Sequence, residues 1–308
     1  MKRKLLISLF PILLVFQISA EANNTENKPT SKTEFGFKAM KFDFDPYEYS
    51  YLKLNNTSKK QLEGNKGTIF PFFIKYNDLS KNYGLEFDIL SYNIANPHYD
   101  IYFANRSGIS TTNIQFGNIR RDEFNLNFLY YYNQNNPNIF YFGLGIKRIE
   151  RLSQDRSTVF SYEEKINSIG LKIPLRSTID IIENLKLNLA FDPYYTLGTR
   201  NYRDETAYNY RGSDGLTYPY IRAIIEDKNS IAQIHGFDSE ASLAYSFLPN
   251  YKIAFGYIYN KSHYTLKNNS DKMFNYDGFG NNVSIYNVVN SMKTDTFRSI
   301  YLSLSYTF

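Results

Sequence analysis

Three histidines are the side chains of this 308-residue chain best placed by pKa to move a proton near neutral pH. His98 stands two residues before Asp100, His235 three before Asp238, and His263 has no carboxylate at such a spacing. A histidine beside a carboxylate is the minimum of a general base. Nothing in the chain builds on those pairs. There is no cysteine, no glycine-rich phosphate loop and no zinc-ligand spacing. The stretch NNSDKMFNYDGFGNN (268–282) is rich in Asp, Asn and Gly but lacks the ordered ligand spacing of a calcium loop. No catalytic residue, metal or cofactor is therefore expected, and the histidines read as solvated positions at loops or strand tops.

A second set of residues is better ordered. Lys75, Glu86, Asp88, Glu123, Lys147, Lys172, Arg176, Lys186, Asp192, Asp238, Glu240 and Lys252 all fall one residue out of phase with rows of large apolar side chains. Six are acidic and six basic, so they cancel. Glu123, Lys147, Lys172, Asp192 and Glu240 stand at comparable heights on five successive segments, which makes Glu123 with Lys147, and Lys172 with Asp192, cross-strand neighbours. A balanced ladder of this kind suits ion pairing in a plug, whereas an ion-selective pore favours one sign. Small residues in the same phase, Gly143, Gly145, Gly170, Ala190, Ser242, Ala244, Ala254, Gly256, Ser303 and Ser305, leave room for a narrow passage or for the long cationic side chains.

The elements that hold these residues alternate with period two, the mark of strands with unlike faces. Phe70 to Tyr76, Tyr83 to Ile89, Phe124 to Tyr132, Phe140 to Ile146, Ile169 to Leu175, Leu185 to Phe191, Phe237 to Phe247, Tyr251 to Tyr259 and Ile300 to Tyr306 give nine strands. FGFKAMKFDFD (35–45) supplies a tenth, with Phe35 and Phe37 on one phase and Met40, Phe42 and Phe44 on the other, which a bulge near Lys38 would reconcile. Connections 77–82, 133–138, 178–184 and 248–250 are short. Those at 46–67, 92–121, 149–166, 196–235 and 262–296 are long and polar. YPYIRAII (218–225) and YDIYF (99–103) would extend hairpins or add a pair of strands, so twelve is the alternative count.

Where the chain is delivered decides what the apolar rows face. Lys2, Arg3 and Lys4, an apolar run from Leu5 to Phe16 and the small-x-small site Ala20-Glu21-Ala22 form a secretory signal over residues 1–22, leaving 23–308 as one domain. The whole chain carries +5; removing Lys2, Arg3, Lys4 and Glu21 leaves +3, too little to argue for nucleic acid. With 29 Tyr, 25 Phe and a mean hydropathy of −0.45, no later segment approaches a spanning helix. A closed β-barrel escapes that test, because only alternate residues meet lipid. None of the large outward-phase positions is charged, as hydrocarbon requires. Tyr76, Tyr83, Tyr132, Phe140, Phe247, Tyr251 and Phe308 collect at the short-turn ends, where an interfacial girdle belongs.

The closing segment RSIYLSLSYTF, with Leu304, Tyr306 and a terminal Phe308, resembles the recognition signal that bacterial outer-membrane β-barrels present to their assembly machinery. In length, Tyr/Asn richness and long loops the chain is similar to uncharacterised porins of spirochaete outer membranes. The resemblance implies an all-β, transmembrane, antiparallel up-and-down barrel of ten strands, with short periplasmic turns and long extracellular loops, exported to the cell outer membrane. Its expected partners are outer-membrane lipid, the barrel assembly machinery, and small solutes or host ligands. The expected function is a porin-like, narrow passive channel; the alternative is a closed barrel displaying surface loops for adhesion or ligand binding. A protease of the omptin type, also ten-stranded, is the weaker alternative, since neither its Asp and His motifs nor the His-Ser-Asn pattern of the outer-membrane phospholipase is recognised here.

Overall fold

A computed structural model describes residues 31–47, 62–78, 80–95, 98–105, 108–115, 117–132, 139–156, 160–211, 217–267, 273–276, 282–283 and 292–308. Segment 1–22 and turn 133–138 lie outside them. The strands are β1 (Ser31–Asp45), β2 (Leu62–Glu63), β3 (Lys66–Ile69), β4 (Phe72–Asp78), β5 (Tyr83–Ile94), β6 (His98–Asn105), β7 (Gly108–Gln115), β8 (Asn118–Tyr132), β9 (Ile139–Arg156), β10 (Phe160–Lys172), β11 (Leu175–Ile182), β12 (Leu185–Arg211), β13 (Thr217–Leu248), β14 (Tyr251–Lys267), β15 (Met273–Tyr276), β16 (Asn282–Val283) and β17 (Met292–Thr307).

In hydrocarbon an unpaired peptide group costs several kcal/mol, so a spanning sheet has to close on itself. It does: β1 pairs with β4 on one side and with β17 on the other, Phe35 opposite Tyr306. Reciprocal bonds between Thr33 and Phe308, 3.0 and 2.9 Å, finish the seam. Ten strand positions make the ring, because two of them are split. β3 and β4 are one position broken at Pro71, and β10 and β11 one broken at Pro174, where the missing N–H interrupts the ladder. The proline carbonyls stay in use, Pro71 accepting from Lys38 N and Pro174 from Gly143 N. In two of the described short turns Asn82 and Asn184 take φ of 60° and 64°, a left-handed conformation asparagine tolerates.

Two expectations need correcting. The register of β1 against β17 runs without interruption from Glu34–Thr307 to Asp45–Thr296, so no bulge exists at Lys38. Phe35 and Phe37 face outward, whereas Met40, Phe42 and Phe44 face inward and are 1%, 3% and 0% exposed. Much of the polar sequence assigned to long connections is also strand. β9 and β10 reduce 149–166 to residues 157–159, and β12 and β13 run to Arg211 and from Thr217, so that 218–225 extends their hairpin, as its sequence suggests. Residues 99–103 lie in β6, which joins β2 and β7 in a separate three-stranded sheet.

The outward rows are apolar over the lower part of each strand, as with Leu126, Phe128 and Leu144, all at least 42% exposed. Inside, an apolar core fills the half away from the turns. Met40, Phe42, Phe44, Leu90, Tyr92, Ile94, Ile119 and Phe297 pack together on one side of it, and Tyr47, Ile149, Ile166, Ile234, Tyr264 and Leu266 on the other. Nearer the turns the interior is polar. Glycine serves close approach there: a Cβ at Gly256 would lie 2.6 Å from the ring of Tyr301.

Leu302, 51% exposed in the middle of the outward row, reports on the lipid face. Leu302→Arg is expected to lower the unfolding free energy in phospholipid vesicles by about 2–4 kcal/mol, and inward Ser303→Ala by under about 1.5 kcal/mol, measured by urea denaturation.

Candidate functional site: the barrel interior

The inward charges form two connected storeys. In the lower one, Lys147 from β9 lies 2.5 Å from Glu123 of β8 and 2.7 Å from Asp238 of β13. Lys172, ending β10, lies 2.7 Å from Asp192 of β12 and 3.5 Å from Asp238. Arg176 binds Glu86 at 2.8 Å and also Asp192, and Lys75 reaches Glu86 at 3.4 Å. Glu240 lies with Lys38, 2.7 Å away, and with the Tyr301 hydroxyl, not with the other four ladder residues. Lys252 pairs with Glu34 at 2.6 Å, and Lys186 with Asp180 at 3.0 Å on the exposed rim. Asp88 accepts from Asn125 at 2.8 Å. Apart from Lys147 and Asp180, these groups line a chamber of ≈ 370 Å³.

The upper storey was not anticipated. Arg121, Arg151, Arg200 and Lys293 meet Glu164 and Asp295 there, every one of them at most 3% exposed. Arg121 lies 2.6 Å from Glu123, which joins the storeys, and 3.2 Å from Asp295. Arg151 Nε is 3.0 Å from Asp295, and Arg200 Nε 2.5 Å from Glu164. Just past β1 the chain turns inward and inserts Tyr47. Its N–H donates to Asp295 at 2.8 Å, its hydroxyl donates to Glu164, and its ring lies 3.8 Å beneath the Arg151 guanidinium. The Tyr264 hydroxyl donates to Asp295 at 2.7 Å.

Outward neighbours Glu163 and Lys165 are solvated, which places Glu164 above the lipid band. Burial alone would raise its carboxyl, but Lys293, Arg200 and Arg151 prevail and hold it at about 2. Burial pushes the Tyr264 hydroxyl well up despite Arg121.

The histidines do not assemble a base. His235 faces outward and Asp238 inward on β13, the latter bound to Lys147. His235 instead stacks on His263, ring centroids 5.3 Å apart, and His263 Nδ1 lies 2.9 Å from Thr294 Oγ1. Burial lowers the His263 pKa, and Lys261 and His235 add to the effect. The side chains of His98 and Asp100 lie outside the described residues, as does that of Tyr132. Leu304, Tyr306 and Phe308 all project outward, Tyr306 against Tyr251 at 5.0 Å.

A closed antiparallel ring with an apolar exterior and a neutralised, charged interior is an outer-membrane β-barrel protein. The family model of predicted outer membrane proteins of Leptospiraceae matches residues 29–308, and the chain belongs to that family. No curated protein matches it. Among solved structures it is similar to the outer membrane protease OmpT from Escherichia coli, at 15% identity and a TM-score of 0.46 over 92% of this chain and 99% of that one. It is also similar to the outer membrane protein OprG from Pseudomonas aeruginosa, at 14% identity and a TM-score of 0.33 over 92% and 97%. The toluene transporter TodX of Pseudomonas putida gives 9% identity and 0.35 over 91% and 90%.

Asp295→Ala leaves Arg121 and Arg151 short of their counter-charge and is expected to cost about 3–5 kcal/mol in urea unfolding. Because the Glu164 carboxyl titrates at about 2 when folded against an ordinary 4.5, its contribution is complete above pH 4.5 and is lost as the pH falls from there toward 2. Unfolding midpoints measured across that range are expected to fall less steeply in Glu164→Gln.

Proposed function

We propose that this protein is a sealed barrel that carries extended strands and loops on the cell surface, and not an open porin-like passage. The observation that supports this reading is the upper storey: six charged side chains and Tyr47, all buried, lie between two apolar clusters across the mouth of the ring. A conducting path there would need hydrated space, and these groups are instead buried in ion pairs with one another. With β12 27 residues long in all and β13 32, these strands continue beyond the apolar band, which supports display of their tips. Adhesion or ligand contact is the use such a surface serves. The chain arrives through a cleaved signal at 1–22, and Leu304, Tyr306 and Phe308 are the residues offered to the assembly machinery. Among the described side chains, His235 and His263 stack on the outer face, away from the inward carboxylates, which supports a passive barrel.

Purified, refolded protein is expected to leave planar bilayers silent, and Tyr47→Ala combined with Arg151→Ala to produce conductance steps; steady steps from the intact protein would overturn the seal. Since the chain has no cysteine, single thiols map its exposure. On intact cells a membrane-impermeant maleimide is expected to label Lys165→Cys, an outward position above the band, and to spare Ser246→Cys at the turn side.

A further inference from the structure

Two of the three histidines meet on the outer wall although they are distant in sequence. Tyr195, His235, His263 and Thr294 form one register row across β12, β13, β14 and β17. The row lies above the apolar band, since Lys261, one step nearer the band on the same face of β14, is already an outward charge in water. His235 is exposed and has no hydrogen-bond partner among the described residues. Its ring contact is His263, at 5.3 Å between centroids with the planes 24° apart. His263 is anchored, its Nδ1 lying 2.9 Å from Thr294 Oγ1. An Nδ1–H donating to that hydroxyl leaves the lone pair on Nε2, and a ring whose other nitrogen is tied in this way is the usual setting of a metal-binding histidine.

The separation of the rings suits one ion held by both. With metal–nitrogen bonds of about 2.0–2.1 Å and a ring centre about 1.1 Å behind each nitrogen, two imidazoles at a tetrahedral angle have centres about 5.2 Å apart. That matches the 5.3 Å found. His235, on the open surface, has only to turn its Nε2 toward the same point. Neutral imidazole selects zinc, copper and nickel over magnesium and calcium, which prefer oxygen. No third histidine or carboxylate joins the pair among the described residues, so the remaining coordination positions belong to water. The Lys261 ammonium opposes a cation here, whereas the other outward neighbours, Gln233, Phe237, Thr265 and Thr296, are uncharged.

We infer that His235 and His263 form a surface site for a late first-row divalent metal ion, bound through both Nε2 atoms and oriented by Thr294. The inference goes beyond surface display and does not depend on the seal, because the row stands on the outside of the wall. The probe is Cu²⁺, the tightest binder of that series, titrated into the refolded full chain in detergent micelles and followed by calorimetry and electron paramagnetic resonance. One saturable equivalent is expected, with hyperfine structure from two imidazole nitrogens, and an excess of Mg²⁺ is expected not to displace it. His235→Ala and His263→Ala are each expected to weaken it about tenfold or more, and Thr294→Val about tenfold, with unchanged heat-modifiable mobility. Lys261→Gln is expected to tighten it severalfold. His98→Ala, at the third histidine, is expected to leave it unchanged, which separates this site from stray copper ligands. No saturable equivalent, a signal from fewer than two imidazoles, or unaltered affinity in either folded histidine variant overturns the proposal.

Discussion

The rest of the structure depends on the exclusion of unpaired polar groups from hydrocarbon. That constraint acts on the backbone first, forcing β1 to meet β17 and keeping even the proline carbonyls within the ladder. It acts on the side chains next. A charge on the lipid face costs about 2–4 kcal/mol near the midplane, so ionised groups are driven to the only other place available, the axis of the barrel. Once there they need counter-charges, because a buried ion without a partner costs more than the pair gains. The salt-bridge network is thus the answer to a problem that the membrane creates.

The same logic explains why the interior changes character with height. Within the band, outward positions are apolar and inward ones polar. Above it water takes the place of lipid, the outward positions become Lys41, Arg298, Lys261 and Lys165, and the inward ones become Phe42, Tyr92, Tyr264 and Ile166. The apolar phase passes from the outside of the wall to the inside. The upper part is in effect a water-soluble barrel with a core of its own, set on a membrane barrel with a polar one. Arg121, bridging Glu123 below to Asp295 above, ties the two at the level where the medium changes.

That inversion marks the limit of what was legible in the sequence. Nine strands could be read because their large residues keep one phase over the band, and the ten-position ring follows from them. The charges between those residues could be placed inward for the same reason, and the pairs Glu123–Lys147 and Lys172–Asp192 lie in contact. In β1 the phase switch between Phe37 and Met40 looks like a bulge, because a rule that assumes one medium sees a slip where there is a change of solvent. The upper storey was missed for a related reason. Arg151, Glu164, Arg200 and Asp295 stand in stretches with charges on both faces, where periodicity of hydrophobicity vanishes although the strand continues. A signal did exist in KSHYTLK (261–267), where Tyr264 and Leu266 alternate with Lys261, His263 and Lys267. Tyr47 left no such trace, since its burial is decided by Glu164 and Asp295, more than a hundred residues away in sequence.

The seam between β1 and β17 has a kinetic meaning. Contacts between neighbouring hairpins can form as the polypeptide arrives, but Phe35 cannot find Tyr306 until nearly the whole wall exists, and loop-closure entropy makes such a junction late and slow. Up to that moment the nascent sheet is a ribbon with two sticky margins, each able to capture a stranger as readily as its mate. Fidelity in building this molecule is therefore decided at a single stitch, where the outermost and most distant segments of the chain have to choose each other.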